Sequence, residues 1–354
     1  MNSGANSLSQ ISRQIPLPLQ TAGCAGCPLY QDKRCEGAIT LESFAMQDDS
    51  VIGCRDIERI GIYYKDVKRT QRAVPPPNRN DQLVLPPFIP ILTTGAPKDT
   101  RLDSNLLYGV SFSSILNKNG SLRYKTPESL RRALRLPTNG RLALFCTVDD
   151  IRMEYFWKIS ESKNLWQRVS ALNFEFVTSA TFSVYNKHPR SDQIINQARN
   201  FLTLDDLSAL NVPAIPFIFF YPESELDYLN LLKELNKRPD VRKIAILAQL
   251  RRSKHEFALV IEYMQAIKND IKRPLEFVVV GVAEAKRIEL ILSKFPGSTV
   301  ASSQPFFKGN KCGEETLSRL GHKGNDRLTR AQLIENNISV FTNYCKNVVD
   351  INVD

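Results

Sequence analysis

The stretch that decides the fold begins Arg141-Leu-Ala-Leu-Phe-Cys-Thr-Val-Asp-Asp150 and continues to residue 304. Along it, short apolar runs rich in β-branched and aromatic residues alternate with long amphipathic segments. In 254–270, for example, apolar residues recur at steps of three and four, which is typical of a helix with one apolar face. This alternation indicates βα units that build a parallel sheet.

The alternation predicts eight strands in one sheet. The candidate strands are 85–92, 107–116, 142–147, 174–181, 214–220, 243–250, 276–281 and 298–303. Eight parallel strands within about 250 residues are what a (β/α)8 barrel requires. We therefore predict an α/β fold: a (β/α)8 TIM-like barrel with an N-terminal cysteine-rich metal-binding extension. The alternative is an open doubly wound sheet, although no glycine-rich dinucleotide loop follows the first candidate strand.

Composition divides the chain into three predicted parts. Residues 1–20 are rich in serine, glutamine and asparagine, which is typical of a disordered arm. Residues 21–84 hold a cysteine cluster and the run Pro75-Pro-Pro77, and we expect an extension followed by a semi-rigid linker. Residues 85–354 are assigned to the barrel, which ends in a C-terminal helix.

Four of the seven cysteines lie between residues 24 and 54 with the spacing C-x2-C-x7-C-x18-C. In a chain without a recognisable secretory signal, such clustering favours a metal site over disulfides. Four thiolates suit either tetrahedral zinc or an iron–sulfur cluster. The predicted metal ligands are Cys24, Cys27, Cys35 and Cys54, and four unrelated buried thiols are the alternative.

The formal net charge is +10 and the sequence pI is about 9.2, which is compatible with a nucleic-acid or other phosphate-bearing partner. Because the basic residues are scattered along the chain, solubility alone is the alternative explanation. No apolar run reaches the ~18 residues that span a bilayer, and the first twenty residues lack the apolar core of a signal peptide. We expect a cytoplasmic protein without membrane contact, with DNA or RNA, and also proteins, as candidate partners.

Carboxylates follow two of the predicted strands. Active sites of parallel α/β folds are built at the C-terminal ends of the strands. Asp149 and Asp150 follow the strand at 142–147, and Glu223 follows the strand at 214–220. We predict that Asp149, Asp150 and Glu223 are catalytic, as general base, nucleophile or metal ligand. The alternative is a role at helix N-termini, which acidic residues also favour.

Six further side chains at the strand ends are predicted to bind substrate. Hydroxyl groups can bind phosphate or sugar by hydrogen bonds, and an arginine guanidinium commonly donates two hydrogen bonds to a phosphate or a base edge. The six are Ser179, Thr181, Tyr185, Gln249, Arg251 and Gln304. A Walker loop, a GxSxG elbow and an HExxH pair are absent from the sequence, which disfavours ATPase, serine hydrolase and zinc protease functions.

Part of the sequence resembles an uncharacterised family of bacterial, phage and mobile-element proteins. The resemblance is carried by Val148-Asp-Asp-Ile-Arg-Met-Glu-Tyr-Phe-Trp157, by Phe176-Val-Thr-Ser-Ala-Thr-Phe-Ser-Val-Tyr185 and by shorter pieces at 193–200 and 212–216. Members of the family carry Asp-Asp near Glu-x-x-Trp, and then Pro-Asp-Phe-Ser-x-Tyr. This chain has Ala180-Thr181 in place of the Pro-Asp. The resemblance covers residues 142–222 and implies a barrel-like fold but no reaction.

More distantly, the predicted architecture is similar to the tRNA-guanine transglycosylase barrels and their DNA-modifying relatives. Those barrels bind nucleic acid, use carboxylates at strand ends and carry a cysteine metal site. Their Asp-Ser-Gly-Gly/Ala-Phe signature is absent here, and their zinc cysteines lie towards the C-terminus, so the similarity is architectural. From the basic charge, the strand-end carboxylates and the barrel architecture together, we predict a nucleic-acid- or nucleotide-acting enzyme for base modification or glycosidic-bond chemistry, similar to a transglycosylase. The alternative is a non-catalytic nucleic-acid-binding or adaptor protein of a mobile element or phage-defence system.

Overall fold

The structure is a computed structural model, and it describes residues 27–33, 35, 66–70, 74–182, 190–219, 225–249, 251, 253–312 and 328–351. The chain divides into two units built from interleaved segments. Unit 1 contains the described parts of Met1–Pro75, Phe182–Leu202 and Phe219–Arg238. Unit 2 contains the described parts of Pro76–Thr181, Thr203–Ile218 and Pro239–Asp354.

The described residues of unit 2 form nine strands that pair in parallel as one sheet. The strands are β1 Phe88–Leu92, β2 Leu107–Ser111, β3 Arg141–Phe145, β4 Val177–Thr178, β5 Ala214–Ile215, β6 Phe217–Ile218, β7 Lys243–Leu247, β8 Glu276–Val280 and β9 Thr299–Ser302. Their order across the sheet is β5-β4-β3-β2-β1-β9-β8-β7-β6. The two end strands, β5 and β6, are separated in the chain only by Pro216, so the sheet is nearly closed and barrel-like.

Helices connect most of the strands, as parallel pairing requires. The described α-helices of the chain are α1 Pro28–Gln31, α2 Phe112–Ile115, α3 Pro127–Leu134, α4 Asp150–Ser160, α5 Leu165–Ser170, α6 Arg190–Ala209, α7 Glu225–Asn236, α8 Lys254–Asp270, α9 Ala285–Lys294, α10 Gln304–Phe307 and α11 Arg330–Ile351, and a π-helical turn at Lys308–Cys312 follows α10. Residues 66–70 are also helical. The predicted α/β class with a barrel-like parallel sheet is confirmed, and the arrangement is compatible with a TIM-like barrel.

The core of unit 2 lies on both faces of the sheet, as expected for parallel strands. All five residues of β1 are buried, although it contains Pro90. Phe88 of β1 contacts Phe341 of α11 with ring centroids 5.2 Å apart. Phe277 of β8 contacts Phe295, at the end of α9, at the same separation. The long C-terminal helix therefore belongs to the core.

Several predicted strands are shorter in the structure, and the strand predicted at 174–181 is reduced to Val177–Thr178. A helix that the sequence pattern predicts near 153–172 is also interrupted. The strand predicted at 107–116 ends at Ser111, where α2 begins. The strand predicted at 214–220 is interrupted at Pro216, which has no N–H to donate. The helical pattern at 153–172 is divided into α4 and α5 by a turn in which Asn164 adopts a left-handed conformation, φ 48°. Asparagine tolerates this conformation better than most residues.

Two asparagines in the segment after the proline run bind the N-terminal ends of β5 and β7. Asn80 is fully buried; its Nδ2 donates to Ala214 O at 2.9 Å and to Lys243 O at 3.1 Å. Its Oδ1 accepts from the backbone N of Arg242 at 2.7 Å. Asn78 Nδ2 also donates to Ala214 O, at 2.9 Å. Asn80 therefore joins two strands that are not neighbours in the pairing order.

Candidate functional site at the C-terminal ends of the strands

The residues that follow β2 and β3 are joined by hydrogen bonds. β2 and β3 pair along their whole length, so they end side by side. Beyond them, the backbone N of Ser113 donates to Thr147 O at 3.2 Å, and Arg152 Nη1 donates to Ser113 O at 3.1 Å. Arg152 was not among the residues singled out from sequence, although its position three residues after Asp149 was a usable signal. The two strand ends thus share one polar surface.

Asp149 is the N-cap of α4 on this surface. Its Oδ1 accepts from the backbone N of Arg152 at 3.0 Å, and its Oδ2 accepts from Arg152 Nε at 2.5 Å. Partial burial raises the pKa of Asp149, but the hydrogen bonds from Arg152 and the charge of its guanidinium together outweigh this effect. The pKa of Asp149 consequently lies below its usual value, and the carboxylate is ionised at neutral pH.

The contacts of Asp149 match the helix-capping role, which the sequence analysis gave as the alternative to catalysis. An ionised carboxylate can also act as a nucleophile or stabilise positive charge, but it has no proton to donate. Asp150 is exposed as the first residue of α4. Glu223 lies outside the described residues. Catalytic roles for these three residues stay predictions.

The two described hydroxyl residues of the predicted substrate site are buried and bound to backbone groups. Ser179 Oγ accepts from the backbone N of Phe217 at 2.8 Å. Thr181 Oγ1 donates to Cys146 O at 2.7 Å. These bonds hold the end of β4 against β6 and the end of β3. Tyr185 lies outside the described residues, and substrate binding by all three stays a prediction.

A second polar surface lies at the ends of β7 and β8. Gly281 has φ +93°, and a Cβ there would lie 2.5 Å from Gln249 Cβ, so only glycine lets the two strand ends approach this closely. Gln249 itself is exposed. Arg287 Nη1 donates to Arg251 O at 2.7 Å, and Arg287 Nε pairs with Glu284 at 2.9 Å. Sequence reasoning identified Gln249 and Arg251 but missed Arg287.

All of these strands run in parallel in one sheet, so the groups after β3, β7 and β9 lie at the same edge. Gln304, the last residue of the predicted site, is exposed at the start of α10, and its backbone N donates to Ser302 Oγ at 3.2 Å. The structure therefore joins Asp149 to Arg152 by hydrogen bonds, and it places Gln249 and Arg251 after the end of β7. It also places Gln304 beyond the end of β9.

Two of the four predicted metal ligands are described, and both belong to one apolar cluster in unit 1. Cys27 is buried in a cluster with Leu29, Val67 and Ile194, and Cys35 is half-buried and packs against the same cluster. Cys24 and Cys54 lie outside the described residues. Among described side chains, no group of three or more His, Cys, Asp or Glu residues has metal-binding geometry. Metal binding by the four cysteines stays a prediction.

Unit 1 also contains a buried ion pair that the sequence did not reveal. Arg199 Nε lies 3.2 Å from Asp66 Oδ2, and both side chains are more than nine-tenths buried. The guanidinium of Arg199 also lies over the ring of Phe182, 5.1 Å from its centroid. A buried pair of this kind stabilises only while both partners are present.

Comparisons with models of known protein families and with proteins of described function give no match. In the described part of the chain, no helix has the length and apolar character needed to cross a bilayer. Fold alone does not determine function. The chemistry of the strand ends is therefore the observation that bears on function.

Proposed function

We propose that this protein is a nucleic-acid- or nucleotide-acting enzyme on a (β/α)8 TIM-like barrel, with base modification or glycosidic-bond chemistry as its reaction. The observation that carries the proposal is the ionised Asp149, held by Arg152 beside the end of β3. Barrel enzymes keep their catalytic groups at this edge of the sheet. The net charge of +10 suits a polyanionic substrate.

The lowered pKa of Asp149 favours one set of chemical roles. Cleavage of a glycosidic bond builds positive charge on the sugar, and an ionised carboxylate stabilises that charge or attacks the anomeric carbon. In this proposal Asp149 has that role, Glu223 assists as acid or base, and Asp150 is the second carboxylate candidate. Gln249 and Arg251 hold the substrate.

We also propose that Cys24, Cys27, Cys35 and Cys54 hold zinc or an iron–sulfur cluster. The shared apolar cluster around Cys27 and Cys35 supports this, because ligands of one site must lie close together. Thiolate ligands suit both metals. A bound metal would contribute folding free energy to the cysteine-rich extension.

Metal content is the test of this second proposal. Anaerobically purified protein is expected to contain stoichiometric iron or zinc, and a brown colour with absorbance near ~400 nm identifies an iron–sulfur cluster. Cys27→Ala and Cys35→Ala are each expected to lose the metal. Cys345→Ala is the control and is expected to retain it, because Cys345 is buried in α11 of unit 2. Wild-type protein that is folded and free of both metals would contradict the proposal.

A non-catalytic nucleic-acid-binding or adaptor protein is the second candidate function. One observation favours it: both carboxylate oxygens of Asp149 are occupied by Arg152, as in a purely structural cap. In that case basic residues of the protein bind the nucleic acid, and no catalytic carboxylate is needed.

Replacing Asp149 by asparagine separates the two functions. Asparagine caps helices as well as aspartate does, so Asp149→Asn is expected to lose only the exposed pair with Arg152, which is worth less than about 1 kcal/mol. If the protein is an enzyme, Asp149→Asn is expected to convert the nucleic acid roughly 100-fold more slowly, or slower still, because the carboxylate charge is lost. Asp149→Ala is expected to cost about 1 kcal/mol through loss of the cap. Glu161→Gln, at the other end of α4, is the matched control for charge removal.

Salt dependence tests the substrate class common to both functions. Binding of an oligonucleotide is expected to weaken steeply between low and physiological salt, because each phosphate contact releases counterions. The affinity is measured by fluorescence anisotropy with the full chain. An affinity that does not change with salt would exclude both a nucleic-acid-acting enzyme and a nucleic-acid-binding adaptor.

A further inference from the structure

The segment after β9 presents one aromatic ring to solvent. Phe306 is fully buried, whereas Phe307, the next residue, is 50% exposed. Burying a phenylalanine side chain is strongly favourable, and the other large aromatic side chains of this segment and of the adjoining core are inside. The exposed half of the Phe307 side chain therefore contributes no burial free energy to the fold.

The backbone beneath Phe307 is held firmly. A Cβ at Gly309 would lie 2.7 Å from the backbone N of Ile334, so the segment is pressed against α11. Asn337 of α11 donates from Nδ2 to Pro305 O at 3.2 Å, and Phe307 N donates to Ser303 O at 2.8 Å. These contacts hold the backbone from which the exposed ring projects.

Positive charge accompanies the ring. Residues 302–312 contain two lysines and no carboxylate. Lys311 is exposed and Lys308 is half-buried, and both belong to the π-helical turn that follows α10. π-Helical turns are rare and occur frequently at functional sites.

We infer that Phe307, Lys308 and Lys311 form a binding site for single-stranded nucleic acid, in which an unpaired base stacks on the ring and lysines contact the flanking phosphates. Every base offers a face for stacking, whereas the bases of a duplex are already stacked on one another. The inference rests on the proposed function, because it specifies the substrate class as a single strand. The site lies beyond the end of β9, at the edge of the sheet where the proposed catalytic residues lie.

Anisotropy titrations of the full chain test this site with a labelled single-stranded oligonucleotide and a duplex of the same length. Phe307→Ala is expected to weaken single-strand binding roughly 5- to 100-fold, which is the usual loss for one stacked base. Phe307→Trp is expected to retain binding and to show fluorescence quenching by the oligonucleotide beyond that of the wild type. Lys311→Gln is expected to reduce the slope of log affinity against log salt by about one. Leu290→Ala is the control, because Leu290 is an exposed apolar residue of α9.

The outcomes distinguish the proposed function from the inference that Phe307 binds a single strand. If the wild type binds neither oligonucleotide, the proposed function on nucleic acid fails and the inference fails with it. If the wild type binds the single strand and Phe307→Ala binds it equally well, the inference alone is overturned, and the exposed ring serves another contact such as a protein partner. Wild-type binding confined to the duplex also overturns the inference and leaves the proposed function standing.

Discussion

Replacing Asn80 by alanine is expected to lower the free energy of unfolding by about 3–5 kcal/mol. The side chain is fully buried; its Nδ2 donates to Lys243 O and Ala214 O, and its Oδ1 accepts from the backbone N of Arg242. A buried polar group that loses its partner costs roughly 1–3 kcal/mol. Ala214 O keeps the bond from Asn78 Nδ2, so the main cost comes from the other two groups.

Chemical denaturation of the full chain measures this effect, and Asn119→Ala is the matched control. The Oδ1 atom of Asn119 also accepts two hydrogen bonds, from the N and Oγ of Ser121, but the site is exposed. Water can replace those bonds, so the control is expected to change stability by less than about 1 kcal/mol. Equal losses for the two variants would show that Asn80 does not hold β5 and β7 together.

Removing either partner of the buried pair in unit 1 is expected to cost about 3–5 kcal/mol. Asp66→Ala leaves the Arg199 guanidinium buried without its carboxylate, and Arg199→Ala leaves the Asp66 carboxylate buried without its cation. Arg199→Ala also removes the contact with the ring of Phe182. The loss is expected in unit 1, where hydrogen exchange of 190–202 should accelerate more than that of the sheet strands.

A double variant checks the electrostatic origin of this loss. Asp66→Leu combined with Arg199→Met replaces both charges by apolar groups of similar size, so no charge stays buried alone. Its stability is expected to exceed that of either single alanine variant, as found for buried pairs that are replaced together. If the double variant loses as much stability as the two single variants together, packing and not the ion pair is responsible for the loss.

The sequence was sufficient for the elements whose local signals agree. The helix predicted at 254–270 has those bounds in the structure, where Ser253 caps it and Glu256 Oε2 accepts a hydrogen bond from the backbone N of Ser253. Capping residues and apolar periodicity both act within a few residues, so both are readable from the chain. Because such strands and helices alternate along the chain, the parallel, barrel-like sheet was also predictable.

Contacts between distant residues were not readable in the same way. Asp66 and Arg199 are 133 positions apart, and neither residue differs in its local pattern from an exposed charged residue. Asn80 follows a proline run that read as a linker, yet it is buried at the ends of two strands. Residue type and spacing do not report whether a polar side chain is buried.

The candidate site shows the same limit at Asp149. An aspartate after a strand and before a helix suits both catalysis and capping, because both use an ionised carboxylate. The sequence therefore located the residue without deciding its role. The structure adds Arg152 as its partner and accounts for the lowered pKa of the Asp149 carboxylate.

Nucleoside analysis by mass spectrometry is the most direct measurement of the proposed activity. Anaerobically purified full-length protein is incubated with single-stranded DNA and RNA, which are then digested to nucleosides. The wild type is expected to change the nucleoside composition, by a modified or a missing base, and Asp149→Asn is expected to leave it unchanged while binding the same strands. An unchanged composition with a wild-type protein that binds the strands would contradict catalysis by this protein and leave it a nucleic-acid-binding protein.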